Sequence, residues 1–422
     1  MKIKAYYDVV IIGAGPAGMA AGISCYDNKA STLIVEREER IGGILKQCIH
    51  DGFGVIEFKE KLTGPEYSER YIKIIKDKNI PIITKTFVLN VEKKGNFKLT
   101  LINPKEGIFN IETKALILAN GCRERTQKQI FIHGSRPSGI FTAGTAQYFV
   151  NILGYLPCKR CVILGSGDIG LIMARRLTLE GANVIGVYEA KKHPSGLIRN
   201  ISQCLNDYEI PIILSHTITK IIGDDRVKAV EISEVNEDME PILGTEKIIE
   251  CDGVILSVGL IPENEIAESL NIDIDKRTKG PIIDQNFMTS ENGIFSCGNA
   301  LHVNDLVDYV SESGRYAGLS AARYINDNYE RKFISVEKSL KDFAYIVPQY
   351  IDIKSIKDKV IFYFRSMDIK ENVKIYIKCG ENIIFHKKYR YLRPPEMERI
   401  EINLDKELIK GEKSIEFIMM EG

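Results

Sequence analysis

The run Gly13-Ala14-Gly15-Pro16-Ala17-Gly18 constrains this chain more than any other stretch of it. It follows the apolar, β-branched segment YDVVII (7–12) and opens a segment, 16–28, that reads as a helix. Residues 31–36, STLIVE, read as the next strand, which completes a β-α-β unit. Each glycine has a physical task. Gly13 permits the tight turn, Gly15 lets the backbone approach a pyrophosphate, and Gly18 lets helix and strand pack closely. Pro16 and Ala17 begin the helix, whose N-terminus offers free N–H groups and a positive dipole end to phosphates. Glu36 ends the second strand, where its carboxylate can accept both hydroxyls of an adenosine ribose. A bare GxGxxG is a weak signal, but strand, helix, second strand and acid together make a dinucleotide-binding fingerprint.

The fingerprint recurs as Gly165-Ser166-Gly167-Asp168-Ile169-Gly170. Strand RCVIL (160–164) precedes it, Asp168 to Leu179 reads as its helix, and Asn183 to Tyr188 as the following strand, ending at Glu189. A carboxylate there accepts a ribose 2′-OH and repels a 2′-phosphate, which favours NAD over NADP. Lys191, Lys192 and His193 follow and soften that preference. Asp168 brings a negative charge into the pyrophosphate-binding turn, which is unhelpful unless it caps the helix. The competing reading is a retained fold that binds no dinucleotide, or a different nucleotide.

The chain is long enough for two to four domains at 422 residues. Its 57 Lys+Arg against 57 Asp+Glu argue against a nucleic-acid binder and against a polybasic membrane-surface protein. Nine cysteines are too few for a disulfide scaffold and fit reduced thiols. No apolar run reaches the ~18 residues of a membrane span. Lys2, Lys4 and the apolar Val9 to Ile12 imitate a signal peptide, but Asp8 and the glycine spacing favour the fingerprint, so the expected location is the cytoplasm.

Elsewhere, 59–79 reads as a helix, 81–88 as a return strand, and 97–102 with 108–113 as a hairpin turning at Asn103 to Gly107. Ala115 to Ala119 is a buried strand, 226–234, 247–256 and 293–297 are strands, and 304–325 is mostly helical with small residues along it. After residue 330 the texture changes to short strand candidates such as KVIFYFRS and VKIYIKCG. Residues 331–422 therefore read as a small β-rich domain. Its basic-aromatic stretch His386 to Arg393 is a binding-patch candidate, with a solvated strand face as the blander reading.

A second glycine pair, Gly42-Gly43, would let the backbone pass close to an extended FAD. With it, the stretches VVIIGAGPAGMAAG, GGILKQC, ALILANGCRER, VILGSGDIGLIMA, GVILSVGLIPEN and GIFSCGNA resemble the flavoprotein pyridine nucleotide–disulfide oxidoreductases, closest to the thioredoxin reductase-like layout. The resemblance covers about residues 1–330. It implies an α/β fold of two Rossmann-like domains, with an FAD domain (1–125 and 248–330) split by an NAD(P) domain (126–247) and followed by the C-terminal domain (331–422). It adds Arg37, Val88, Ala119, Gly121, Gly259, Gly298 and Asn299 to the candidate cofactor contacts.

The resemblance breaks at the redox cysteines. One branch carries two cysteines just after Gly-Gly, at positions held here by Leu45 and His50, with Cys48 between them. The thioredoxin reductase branch carries CxxC where this chain has Thr142-Ala143-Gly144-Thr145. Cys158-Lys159-Arg160-Cys161 is a CxxC in a different place, at the start of a strand and not at a helix N-terminus, so it reads as a coincidental pair. Dithiol–disulfide exchange is therefore not the expected mechanism. The family places His50 and His302 near the isoalloxazine, which makes each a candidate proton donor or acceptor, with a structural histidine as the competing reading. Asp305, Lys46 and Cys48 are weaker candidates, and no metal-ligand spacing is present.

The expected function is an FAD-dependent oxidoreductase that moves electrons between NAD(P)H or a small organic substrate and FAD, then to a partner subunit or acceptor. The stretches GGILKQCIHDGFG and GNALHVNDLVDYVSESG look most like flavoprotein subunits of amine, opine, proline or glycerol-3-phosphate dehydrogenases and of hydrogen cyanide synthase. A partner redox subunit or a homo-oligomer is expected, with the C-terminal domain as candidate docking surface. The alternatives are a self-contained NADH oxidase or diaphorase, and a non-catalytic nucleotide-binding subunit.

Overall fold

The computed structural model describes residues 3–326, 330–355, 359–409 and 411–421. The chain divides into two units, residues 1–122 with 262–422, and residues 123–261. The elements that matter for the sites are β1 (Tyr6–Ile12), α1 (Pro16–Asp27), β2 (Thr32–Val35), α2 (Gly64–Asp77), β3 (Gly107–Leu118), β4 (Arg160–Leu164), α3 (Asp168–Leu179), β5 (Asn183–Glu189), β6 (Ile294–Ser296) and α4 (Val307–Tyr324).

In the first unit, Ile82–Ile83, β2, β1, β3 and β6 form a parallel sheet in that order. The hairpin strands Phe87–Lys94 and Asn96–Asn103 extend it antiparallel to the first half of β3. The strands are near-continuous Val, Ile and Leu because both faces are covered. One face packs Val9, Ile11, Ile34 and Ile117 under α1 and α4, and the other packs Tyr7, Val10, Leu33 and Leu116. The small residues of α4 are what that packing requires. A Cβ on Gly314 would lie 2.1 Å from the Ala17 carbonyl, and one on Gly318 would lie 2.4 Å from that of Ala21.

The second unit carries a five-stranded parallel sheet, ordered Ile140–Thr142, Gly253–Leu256, β4, β5 and Ile212–Leu214. Gly253–Leu256, which the resemblance assigned to the second FAD segment, lies in this sheet, and the chain crosses back at 261–262. Residues 331–422 cluster with the first unit. They contain a five-stranded and a three-stranded sheet enclosing a core with Phe343, Phe362, Phe364, Ile375 and Phe417. The stretch His386 to Arg393 begins in Asn382–Leu392, an edge strand of the larger sheet, with His386 to Lys388 exposed and Tyr389 buried.

Several boundaries differ from the sequence reading. The helix expected over 59–79 is α2, because Thr63 and Glu66 form a capping box that fixes its start. The return strand 81–88 is two strands, Ile82–Ile83 and Phe87–Lys94. The segments 108–113 and 115–119 are one strand, β3, held extended where the Thr113 hydroxyl donates to the Asp8 and Ala115 carbonyls at 3.0 and 2.8 Å. Conversely, 247–256 is two strands, Lys247–Glu250 and Gly253–Leu256. Asp252 breaks it, accepting the N–H groups of Lys159 and Arg160 at 3.0 and 2.8 Å. The helix expected from 304 begins at Val307.

Candidate functional site

Three adjacent parallel strands, β1, β3 and β6, end at one edge of the first sheet, and the candidate cofactor residues follow those ends. This carboxyl edge is where open α/β sheets bind ligands. Gly13 has φ +106° and packs on the chain returning from β3, since a Cβ on it would lie 2.4 Å from the Ala119 carbonyl. On Gly18 a Cβ would lie 1.8 Å from the Gly13 carbonyl, so only glycine fits. Gly15 faces open space apart from Gly43, whose Cα would be 3.9 Å from a Cβ there. The Gly42 N–H donates to the Ala14 carbonyl at 2.9 Å, which brings Gly42-Gly43 against the fingerprint. The first turn of α1 has no side-chain cap and no acidic residue, so its N–H groups are available to a ligand.

Glu36 is buried and points back at the fingerprint. Its Oε2 accepts the Ala14 N–H and its Oε1 the Glu38 N–H, each at 2.8 Å. About half of its lone-pair sites remain for a ribose. Arg37 pairs with Glu263 at 3.1 Å, and Val88 lies two residues after Thr86, whose N–H donates to the Glu36 carbonyl at 2.9 Å. Gly121 has φ +78° and open space around its Cβ position. Gly298, at φ +63°, abuts Ala17, and Asn299 Oδ1 accepts the Asn304 N–H at 3.0 Å. Asn120 Oδ1 and Asn304 Oδ1 are buried without a hydrogen-bond partner among the described residues. An open helix N-terminus, a half-used carboxylate and two orphaned amide oxygens, all on segments that follow the carboxyl ends of β1, β2, β3 and β6, fit FAD.

The second fingerprint is built alike and furnished differently. Gly165 has φ +95°, and a Cβ on it would lie 2.1 Å from the Ser257 carbonyl. A Cβ on Gly170 would lie 2.6 Å from the Gly165 carbonyl, whereas Gly167 has nothing nearer than 3.6 Å. Glu189 Oε2 accepts the Ser166 N–H at 3.0 Å, the Ser166 hydroxyl at 2.5 Å and the Ser195 hydroxyl at 3.2 Å. Its Oε1 accepts the Lys191 N–H at 3.1 Å. Asp168 does not cap its helix. Its Oδ1 accepts the Leu197 N–H at 2.9 Å and the Asn200 amide at 2.6 Å. The chain's own segment 195–200 thus engages Ser166, Glu189 and Asp168 around the second fingerprint. Gly259 lies in this unit, where its carbonyl accepts the Arg125 N–H at 3.1 Å.

The catalytic candidates separate. His50 is half-buried, with Nδ1 3.1 Å from the Asp51 carbonyl and its ring 4.9 Å from Phe53. His302 is buried, its ring between Tyr345 at 5.7 Å and Tyr363 at 5.4 Å. Burial, with the Arg365 cation adding, pushes it down to about 3, and the Val303 backbone opposes this slightly. Neither ring nitrogen has a well-formed hydrogen bond among the described residues. Burial therefore favours the neutral ring at pH 7. Asp305 is engaged as well, in an ion pair with Arg365 and accepting the Met397 N–H at 2.5 Å. Lys46 pairs with Glu38 at 2.5 Å.

The positions at which the resemblance places a dithiol hold Leu45 and His50, or Thr142 and Thr145. Leu45 is buried, and burial pushes the Cys48 thiol up to about 12. At the second place Thr142 and Thr145 face each other, their hydroxyl oxygens 2.8 Å apart. Cys158 and Cys161 are buried free thiols, hydrogen-bonded so that Cys158 is pushed down and Cys161 up. Sequence reasoning missed Asp308, Tyr345, Tyr363 and Arg365. Asp308 is buried and accepts the Glu57 N–H at 2.8 Å and the Gly54 N–H at 3.3 Å. Nothing in spacing joins residues so far apart in the chain.

A family model described as pyridine nucleotide-disulphide oxidoreductase matches residues 7–323. An NADH oxidase of Methanocaldococcus jannaschii is 26% identical over 310 residues, which are 71% of this chain and 64% of that protein. An opine oxidase component of Agrobacterium tumefaciens, one of that enzyme's subunits, is 23% identical over 336 residues, 75% of this chain and 65% of that one. The chain spans less than two thirds of the length of both relatives. The structure of Lactococcus lactis thioredoxin reductase matches with a TM-score of 0.62 at 23% identity, covering 76% of this chain and 99% of that one, a likeness of fold. Among the described residues, no helix is long and apolar enough to cross a membrane, and no cluster of three or more His, Cys, Asp or Glu could hold a metal.

Proposed function

The chain belongs to the pyridine nucleotide-disulphide oxidoreductase family, a flavoprotein family that works with FAD and NAD(P)H, and on that premise we propose that it is a dithiol-free FAD-dependent oxidoreductase. It moves a hydride between NADH or a small organic substrate and FAD, and passes the two electrons to a partner redox subunit or other acceptor. The observation that carries this reading is the first crevice, with its open helix N-terminus, its half-used Glu36 and its orphaned Asn120 and Asn304 oxygens.

Residues 1–122 and 262–330 would hold FAD, and the unit 123–261 would hold NAD in preference to NADP, because Glu189 repels a 2′-phosphate. Gly13 to Gly18 cradle the pyrophosphate, Glu36 takes the adenosine ribose, and Gly42-Gly43, Ala119 to Gly121 and Gly298-Asn299 let the backbone run close to the cofactor. When bound, FAD supplies the hydride-accepting ring system. His302, neutral at pH 7, can donate one hydrogen bond and accept another but does not deliver a proton. His50, half-buried beside Phe53, remains the candidate for moving one. Reduced thiols fit a cytoplasmic location.

The purified protein is expected to show a flavin spectrum that NADH or an organic substrate bleaches anaerobically, unaffected by thiol alkylation. A colourless protein that takes up no FAD overturns the reading and leaves a non-catalytic subunit. Fast NADH turnover with oxygen alone selects the self-contained oxidase reading, which the NADH oxidase relative favours. Slow bleaching that turns over only with an added acceptor protein selects the subunit reading, which the opine oxidase relative favours.

A further inference from the structure

The family match ends at residue 323, so the C-terminal sandwich lies outside it. This sandwich clamps the segment that follows β6. Arg365, on strand Lys359–Ser366, forms an ion pair with Asp305 and donates to the Val303 carbonyl at 3.4 Å. Its remaining N–H groups go to the Tyr345 hydroxyl at 3.0 Å and to the carbonyls of Pro394 and Pro395. The second Asp305 oxygen accepts the Met397 N–H at 2.5 Å. Farther along α4, Glu312 accepts two N–H groups of Arg399, each at 2.8 Å, and the Tyr363 hydroxyl at 2.6 Å.

The clamped segment belongs to the crevice by position. It leaves the carboxyl end of β6, passes Gly298 against Ala17 of the fingerprint helix, and folds into a turn in which Asn299 binds Asn304 through both its N–H and its amide. The chain of contacts runs from the cofactor crevice through Asn304 and Asp305 to Arg365. The Arg365 and Asp305 side chains are only 15% and 22% exposed, so their charges are weakly screened.

We propose that Arg365 is a positioning residue for the FAD crevice, and that through Asp305 and Val303 it makes the C-terminal sandwich a working wall of the cofactor site. This rests on the flavoprotein reading. Reduced FAD carries more negative charge than oxidised FAD, so the balance between Arg365 and Asp305 sets how well the crevice holds each. Arg365→Gln leaves the Asp305 charge uncompensated, and Asp305→Asn leaves the Arg365 charge uncompensated. The two changes push the flavin potential in opposite directions, whereas simple loosening of the wall would move both the same way.

The test is the flavin midpoint potential of the full-length protein, with FAD affinity measured in parallel. Arg365→Gln should lower the potential and Asp305→Asn should raise it. Arg365→Lys, which keeps the charge but loses the planar fork, should hold a near-native potential while FAD binds several-fold more weakly. If Arg365→Gln does not fold, the rise with Asp305→Asn and the near-native value with Arg365→Lys carry the test. Potentials that do not move, or that move together, overturn the proposal alone. A wild-type chain that binds no FAD overturns the flavoprotein reading, and this proposal with it.

Discussion

The two glycine fingerprints read almost alike in sequence and are furnished oppositely. Around Gly13 to Gly18, Glu36 receives two backbone N–H groups and no side chain. Around Gly165 to Gly170, Glu189 receives four donors, two of them serine hydroxyls, and Asp168 adds an anion that the Leu197 N–H and the Asn200 amide bind. A carboxylate has about four lone-pair sites, so a ribose meets open acceptors at the first cradle and nearly filled ones at the second. The shared motif therefore specifies a backbone shape, and the residues around it decide how readily that shape takes a ligand.

The sharpest way to break this comparison is to make one substitution twice. Gly15→Ala and Gly167→Ala both place a Cβ in open space, with nearest neighbours at 3.9 and 3.6 Å, so neither should unfold its unit. At the first cradle the methyl should push the pyrophosphate away from the backbone and weaken FAD binding by about 100-fold. Gly167→Ala should leave FAD bound and weaken only the nicotinamide nucleotide. Titration of apo-protein with FAD, and of the yellow protein with NADH, checks both. Equal FAD loss from the two variants would mean that the cradles are not separate sites.

These glycines were legible in the sequence because their tasks are local. The turn at Asn103 to Gly107 was legible for the same reason, its Asn103 side chain accepting the Lys105 and Glu106 N–H groups at 3.0 and 2.7 Å. What surrounds each cradle was not legible. Asp168 invited reading as a helix cap, yet its partners stand 29 and 32 residues on. Asp305 invited reading as a catalytic acid, and its partner Arg365 stands 60 residues on, in a domain outside the family pattern. Hydrophobic period and turn chemistry report a residue's own neighbourhood. Ion pairs between distant segments appear only once the fold brings them together.

A second difference concerns what lies behind the cradles. The first is backed by the C-terminal sandwich, which encloses His302 between two tyrosines. Burial pushes that imidazole down to about 3, so the folded chain keeps it neutral while the unfolded chain takes up a proton below about pH 6.5. Stability present above pH 6.5 is therefore lost as the pH falls towards 3. Between pH 7 and pH 5 the loss should be about 2 kcal/mol. Thermal melts of apo-protein should show this slope, and His302→Leu should flatten it whatever its own stability. An unchanged slope would mean that the ring is not sealed under the sandwich.

The smallest expected effect tests the crowding at Glu189 directly. Ser195→Ala removes one donor from Glu189 Oε2 but leaves the loop in place, because the Ser195 N–H still reaches the Ser166 hydroxyl at 2.8 Å and the Leu197 N–H still reaches Asp168 at 2.9 Å. One lone pair is released without an unsatisfied donor being buried, so the carboxylate can take a ribose hydroxyl that it previously met as a competitor. NAD affinity should rise by about threefold, the scale of one weak hydrogen bond exchanged for another, while FAD affinity stays the same. Equilibrium titration of the oxidised protein with NAD, which avoids turnover, reads the change. If Ser195→Ala binds NAD more weakly, the serine holds the nucleotide instead of competing with it.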